Sequence, residues 1–104
     1  MNSDYQRHLD KGQIIAFLSS HKDVMRERFG VVKIGLFGSF ARGEQKPVSD
    51  IDIAVEMETD HIFRKFFALE QYLREHLNRD IDLGIESTLK PAAKQRIMQE
   101  IVYA

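Results

Sequence analysis

The 104-residue chain contains no cysteine, no tryptophan and only two prolines, and its formal net charge is −1. The lack of cysteine excludes a disulfide framework, a thiolate metal site and a cysteine nucleophile. With 15 Lys and Arg against 16 Asp and Glu, there is no global basic field to draw in nucleic acid. No run approaches the roughly 20 apolar residues of a membrane-spanning helix. The first ten residues, MNSDYQRHLD, have no apolar stretch of the kind that marks a secretory leader. The expectation is a cytoplasmic protein with no membrane and no direct nucleic-acid partner. Repeats, low-complexity tracts and linkers are missing too, and the scattered Gly and Pro act as punctuation.

What is present suffices for one domain. Of the residues, 43% are apolar and 30% charged, and a chain of this length buries a substantial core. A single domain over residues 1–104 is expected, with residues 1–11 a flexible or helical extension.

Residues 11–29 read as helix, with Ile14, Ile15, Leu18, Val24, Met25 and Phe29 in an interrupted helical period. The interruption falls at Ser19-Ser20. Ser20 and Asp23 have the spacing of a capping box, and Gly30 is a natural stop. Val31–Phe37 is a β-branched and apolar run, expected as a buried strand. Residues 39–43 suit a short helical turn and residues 44–49 a polar loop. Asp50–Val55 predicts a second strand. Asp60 is placed to cap a long helix through Leu77, with Ile62, Phe66, Leu69, Leu73 and Leu77 as its core stripe. Asp80–Ile85 repeats the acidic and apolar alternation as a third strand. Pro91 fits the first turn of a last helix carrying Ala93, Ile97 and Ile101. The order α-β-α-β-α-β-α predicts an α/β (α+β) domain with a small mixed three-stranded sheet. The helix of 60–77 is long enough to cross over between parallel neighbours, strands two and three. The short connection between strands one and two favours antiparallel or closely adjacent pairing.

Three features carry chemistry. Gly38-Ser39 follows a buried strand, and backbone amides at such a step bind anionic oxygens. Arg42, one turn on, has a guanidinium suited to the same anion. Asp50 and Asp52 stand two apart on a strand, so both project from one face. Two such carboxylates repel unless a cation lies between them, and hard oxygen ligands favour Mg²⁺. Asp80 and Asp82 repeat the spacing. With strands two and three parallel, Asp82 faces Asp52, and a third carboxylate admits two metal ions. Singly, each feature has a plain structural explanation: a turn, solvated edge charges, a surface Arg. Together they put Asp into two buried-type strands where β-propensity disfavours it.

The run Gly38-Ser39-Phe40-Ala41-Arg42-Gly43-Glu44, followed by Ser49-Asp50-Ile51-Asp52-Ile53-Ala54-Val55, resembles the signature of the polymerase-β-like nucleotidyltransferase superfamily. Its form is most similar to the prokaryotic minimal nucleotidyltransferases. Asp80–Leu83 and the tail Leu89-Lys90-Pro91 to Tyr103 resemble the end of the minimal nucleotidyltransferase antitoxins paired with HEPN toxins. The resemblance covers roughly residues 12–104 and implies the nucleotidyltransferase fold. It implies that Gly38 and Ser39 hold nucleotide phosphates with help from Arg42. It also implies that Asp50, Asp52 and Asp82 bind Mg²⁺, two ions in all, and that Asp82 serves as base toward the acceptor hydroxyl. The implied reaction is attack of a hydroxyl on the α-phosphate of ATP. In a type VII toxin–antitoxin system that hydroxyl belongs to a tyrosine of the partner HEPN ribonuclease, which AMP inactivates. Gly84 departs from the β-branched residue expected after Asp-Leu.

Other readings stay open. An antitoxin acting by contact alone would not need three converging carboxylates. A small-molecule nucleotidyltransferase would carry an acceptor-binding domain for which this length has no room. His8, His21, His61 and His76 lack metal-ligand spacing. Phe63, Phe67 and Tyr72 fall outside the core stripe of the long helix. The three form a partner surface, or Phe63 and Phe67 pack under the N-terminal helices.

Overall fold

The computed structural model describes residues 9–58 and 60–104. Most of the expected extension, and His8, lie outside the described residues. The first helix, α1 (Lys11–Ser20), opens with a capping box. Asp10 Oδ1 accepts from the Gln13 amide at 2.9 Å, and Gln13 Oε1 accepts from the Asp10 amide at 3.0 Å. The box expected at Ser20 and Asp23 does not form. Ser20 is still helical, and its hydroxyl donates back to the Phe17 carbonyl at 3.1 Å. His21 begins α2 (Lys22–Phe29) without a side-chain cap, and Gly30 ends it at φ 71°.

Strand β1 (Val31–Phe37) runs straight into α3 (Gly38–Arg42). A loop leads to β2 (Ile51–Met57), then to the long helix α4 (Ile62–Leu77). Asp60 does not cap α4. His61 occupies the cap position in the left-handed region, with no side-chain hydrogen bond to the helix. The core stripe of α4 is buried at Leu69, Leu73 and Leu77 and only partly at Ile62 and Phe66. Strand β3 (Ile81–Ile85) and a 3₁₀ turn (Glu86–Thr88) precede α5 (Pro91–Glu100), which begins on Pro91 as expected. Ile101 lies one residue past α5, in extended conformation.

A fourth strand, β4 (Val102–Tyr103), extends the expected three-stranded sheet. Two residues are too few for any periodic signal, so only pairing with β1 defines it. The strand order is β3-β2-β1-β4. β1 is antiparallel to β2 and β4, and β2 is parallel to β3. Both expected pairings of the first three strands are present.

The two faces of the sheet differ sharply. One presents Ile34, Leu36, Ile51, Ile53, Val55, Ile81 and Leu83, which join Ile14, Leu18, Met25, Leu69 and Leu73 in one buried cluster. The other carries Gly35, Asp52, Ala54, Asp82 and Gly84, in register across β1, β2 and β3. On that face a Cβ at Gly35 would come within 2.8 Å of Ile101. The glycine lets the chain after α5 lie close on the sheet, which brings the end of α5 beside the acidic residues.

Candidate active site

The site forms where β1 ends. Phe37 is extended and Gly38 turns at φ 78°, in the left-handed region that favours glycine. A Cβ at Gly38 would overlap the Asp52 carboxylate. Glycine is therefore required by backbone and by space, because α3 starts directly against the acidic strand.

Asp52 pairs in parallel register with Asp82, so the two carboxyls face each other as the sequence predicts. Burial, then the charges of Asp82 and Asp50, push the Asp52 carboxyl up to about 6. This is the cost expected of like charges held together in a half-buried position. A divalent cation would relieve it, so a hard oxygen-ligating ion such as Mg²⁺ fits the donor set. Asp50 stands one residue before β2 and is exposed. It acts on Asp52 as a nearby charge. Among the described residues, no three His, Cys, Asp or Glu side chains are already arranged as metal ligands. The structure brings Asp52 and Asp82 together and leaves Asp50 at the rim.

A cleft of about 500 Å³ opens beside Asp52, lined by Gly38, Ser39, Arg42, Arg96 and Glu100 among others. Glu100 ties its wall together. Its Oε2 accepts the Gly38 amide at 2.7 Å and its Oε1 accepts Arg42 Nη1 at 2.9 Å. These bonds hold the Glu100 carboxyl below the usual carboxylate range, against the opposing effect of burial. Arg42 Nε also donates to Glu44 Oε1 at 2.9 Å. Arg42 thus lies at the cleft, as its position after the Gly-Ser step suggests, with two carboxylates already on it.

Sequence reasoning misses Glu100, Arg96 and Arg79 as site residues. The first two stand one turn apart on α5, a spacing that puts them on one face. Nothing local says that this face meets Gly38. Arg79 Nη1 donates to the Ser49 carbonyl at 3.0 Å, and its guanidinium lies 5.3 Å from the Phe40 ring centroid. It fastens the loop before Asp50 to α3.

Gly84 leaves open space, since a Cβ there would make only ordinary contact with Leu89. His21 and His76 pack with Phe17 and Tyr72 in an aromatic group. Tyr72 is buried and belongs to the core, which corrects its expected place on the partner surface. Phe63 and Phe67 are not core, being 80% and 62% exposed. They flank an apolar groove of about 310 Å³ that also includes Leu83 and Ile85 of the edge strand β3.

The nucleotidyltransferase domain family matches residues 18–104. Protein adenylyltransferase MntA of Thermococcus cleftensis is 44% identical over 91 residues, 88% of this chain and 92% of that protein. A minimal nucleotidyltransferase of known structure superposes with TM-score 0.77 at 27% identity, covering 91% of this chain and 96% of the other. A crystal structure of a toxin–antitoxin with AMP-PNP superposes with TM-score 0.64 at 27% identity, covering 91% of this chain and 72% of that one. With the glycine-braced acidic pair at the end of β1, and with the domain match running over most of its length, the chain belongs to the nucleotidyltransferase family.

Proposed function

We propose that this protein is a Mg²⁺-dependent protein adenylyltransferase, the antitoxin of a type VII pair, which transfers AMP from ATP to a tyrosine hydroxyl of a HEPN ribonuclease toxin. The observation that carries this reading is the facing pair Asp52 and Asp82 beside the Gly38-Ser39 step. The names of its relatives, protein adenylyltransferase and toxin–antitoxin with AMP-PNP, support it.

Asp52 and Asp82, with Asp50 at the rim, would hold Mg²⁺, which supplies positive charge to the phosphates in the transition state. Gly38 keeps the floor of the cleft open next to Asp52. Ser39 lines that cleft and offers its hydroxyl and amide to phosphate oxygens, with Arg42 beside it. Asp82 Oδ takes the proton of the acceptor hydroxyl. The hydroxyl oxygen then bonds to the α-phosphorus, the bond from that phosphorus to its bridging oxygen breaks, and pyrophosphate leaves. The exposed groove at Phe63 and Phe67 is the surface proposed for the toxin, and it fits the exclusion of water from apolar area on association.

The test is to incubate the protein with Mg²⁺, labelled ATP and the product of the adjacent gene, and to weigh that product. A gain of whole AMP units, lost on chelation and in the Asp50→Asn, Asp52→Asn double variant, is expected. A gain that survives the double variant removes the catalytic assignment. Neutralisation of the toxin without any gain in mass favours an antitoxin that acts by contact. A gain on a small hydroxylated molecule and none on the neighbour favours a small-molecule nucleotidyltransferase.

A further inference from the structure

Two cations line the cleft, and they are not equivalent. Arg42 is engaged twice, by Glu44 and by Glu100. The Gly38 amide is likewise taken by Glu100. Arg96 lines the same cleft, exposed, one helical turn before Glu100. Among the described residues the Arg96 side chain makes no ion pair and no hydrogen bond, and it acts on Glu100 only through space.

The charges sharpen this difference. Asp52 and Glu100 bring negative charge to the cleft wall, and Arg42 is neutralised by the carboxylates it binds. A polyphosphate entering here meets one cation whose charge is uncommitted. Guanidinium is well suited to it, because its planar fork matches phosphate oxygens and stays charged at any working pH.

We propose that Arg96 of α5, rather than Arg42, is the cation that receives the polyphosphate end of the nucleotide, and so sets the preference for a nucleoside triphosphate over a monophosphate. The proposal rests on the nucleotidyltransferase reading of the cleft. Glu100 is then a positioning residue. It holds Arg42 and the Gly38 amide back against the wall, so that the incoming phosphates meet Arg96. Arg96 comes from the C-terminal helix, so the nucleotide site is complete only when α5 is docked on the sheet.

The experiment is calorimetric titration of the whole protein with AMP-PNP and, separately, with AMP, in the presence of Mg²⁺. Arg96→Ala is expected to weaken AMP-PNP binding about tenfold, the usual effect of losing one charge-assisted contact. Arg96→Glu weakens it further, and Arg96→Lys restores part of the loss. AMP binding stays within about twofold in all three, since a monophosphate does not reach the polyphosphate subsite. Arg96 is exposed on a helix, and equal melting temperatures for the variants check that the fold is kept. AMP-PNP binding unchanged in Arg96→Ala but weakened in Arg42→Ala overturns the proposal and leaves the nucleotidyltransferase reading standing. Equal weakening for AMP and AMP-PNP overturns it as well. A wild-type protein that binds neither nucleotide removes both.

Discussion

Gly38 and Asp52 occupy one another's space: the carboxylate of Asp52 lies where a side chain at position 38 would begin. The left-handed turn at Gly38 and the acidic strand are therefore a single feature, built from two stretches of sequence. Gly38→Ala must displace the carboxylate and also strain a backbone at φ 78°. We expect a loss of about 1–2 kcal/mol in stability and of about 100-fold in transfer rate. Denaturant unfolding and the AMP-transfer assay measure the two. A variant with full activity would show that Asp52 is not near the reacting phosphate.

The acidic pair predicts an unusual pH dependence. Asp52 titrates near 6 in the folded protein because of burial and the charges of Asp82 and Asp50, and near 3.9 when unfolded. Between these values the folded state binds more protons at Asp52, so the contribution of Asp52 to stability is greatest below about pH 4 and is lost as pH rises through about 6. Asp52 is only half buried, and solvent screening reduces the effect to about 1 kcal/mol. Urea unfolding in chelator from pH 4 to 7 measures it. Asp52→Asn should flatten the profile, and Mg²⁺ at pH 7 should restore the lost stability. An unchanged profile in the variant would refute the assignment.

Arg79 is expected to matter although it does not line the cleft. It ties the Ser49 carbonyl to α3 through the Phe40 ring. Arg79→Ala should cost about 1 kcal/mol and loosen the approach to Asp50. The expected kinetic sign is a fall in kcat with little change in AMP-PNP affinity, since no nucleotide-contacting group is removed. A variant altered in neither would show that the loop before Asp50 holds its place without Arg79.

The groove beside β3 predicts a separation of folding from association. Phe63 and Phe67 are mostly exposed, so Phe67→Asp should change stability by less than about 0.5 kcal/mol. The same change should abolish co-elution with the adjacent gene's product in gel filtration. A complex that survives both Phe67→Asp and Phe63→Asp would move the partner surface elsewhere. Tyr72→Asp, by contrast, should unfold the protein, because Tyr72 packs against Phe29 and the histidine group inside the fold.

Much of the fold is legible before any coordinates. β2 and β3 announce themselves because alternation of acidic and apolar residues has the period of a strand, and β1 does so as a short β-branched and apolar run. The long helix does so through its stripe of Leu69, Leu73 and Leu77. Cap positions are less legible. Ser20 and Asp60 both have the right chemistry for a cap, yet Ser20 bonds within its own helix and His61 takes the position beyond Asp60. The box forms instead at Asp10 and Gln13, which stand three residues apart just before the apolar run. Capping depends on where the backbone leaves the helical region, and side-chain type does not decide that.

By itself, the sequence determined the parts of the site that lie close along the chain: the Gly38-Ser39 step after a strand, the paired spacing of Asp50 and Asp52, and a second acidic strand at Asp82. Short-range periodicity and residue chemistry are sufficient for those. Only the tertiary structure decided which distant groups complete them. Glu100 reaches Gly38 across 62 residues, and Arg96 enters the cleft because Gly35 lets the chain after α5 pack close to the sheet. Tyr72 is core because Phe17 of α1 and Phe29 of α2 cover its side of α4, while Phe63 and Phe67 are surface because they lie on a side of the helix that neither the apolar sheet face nor those helices cover.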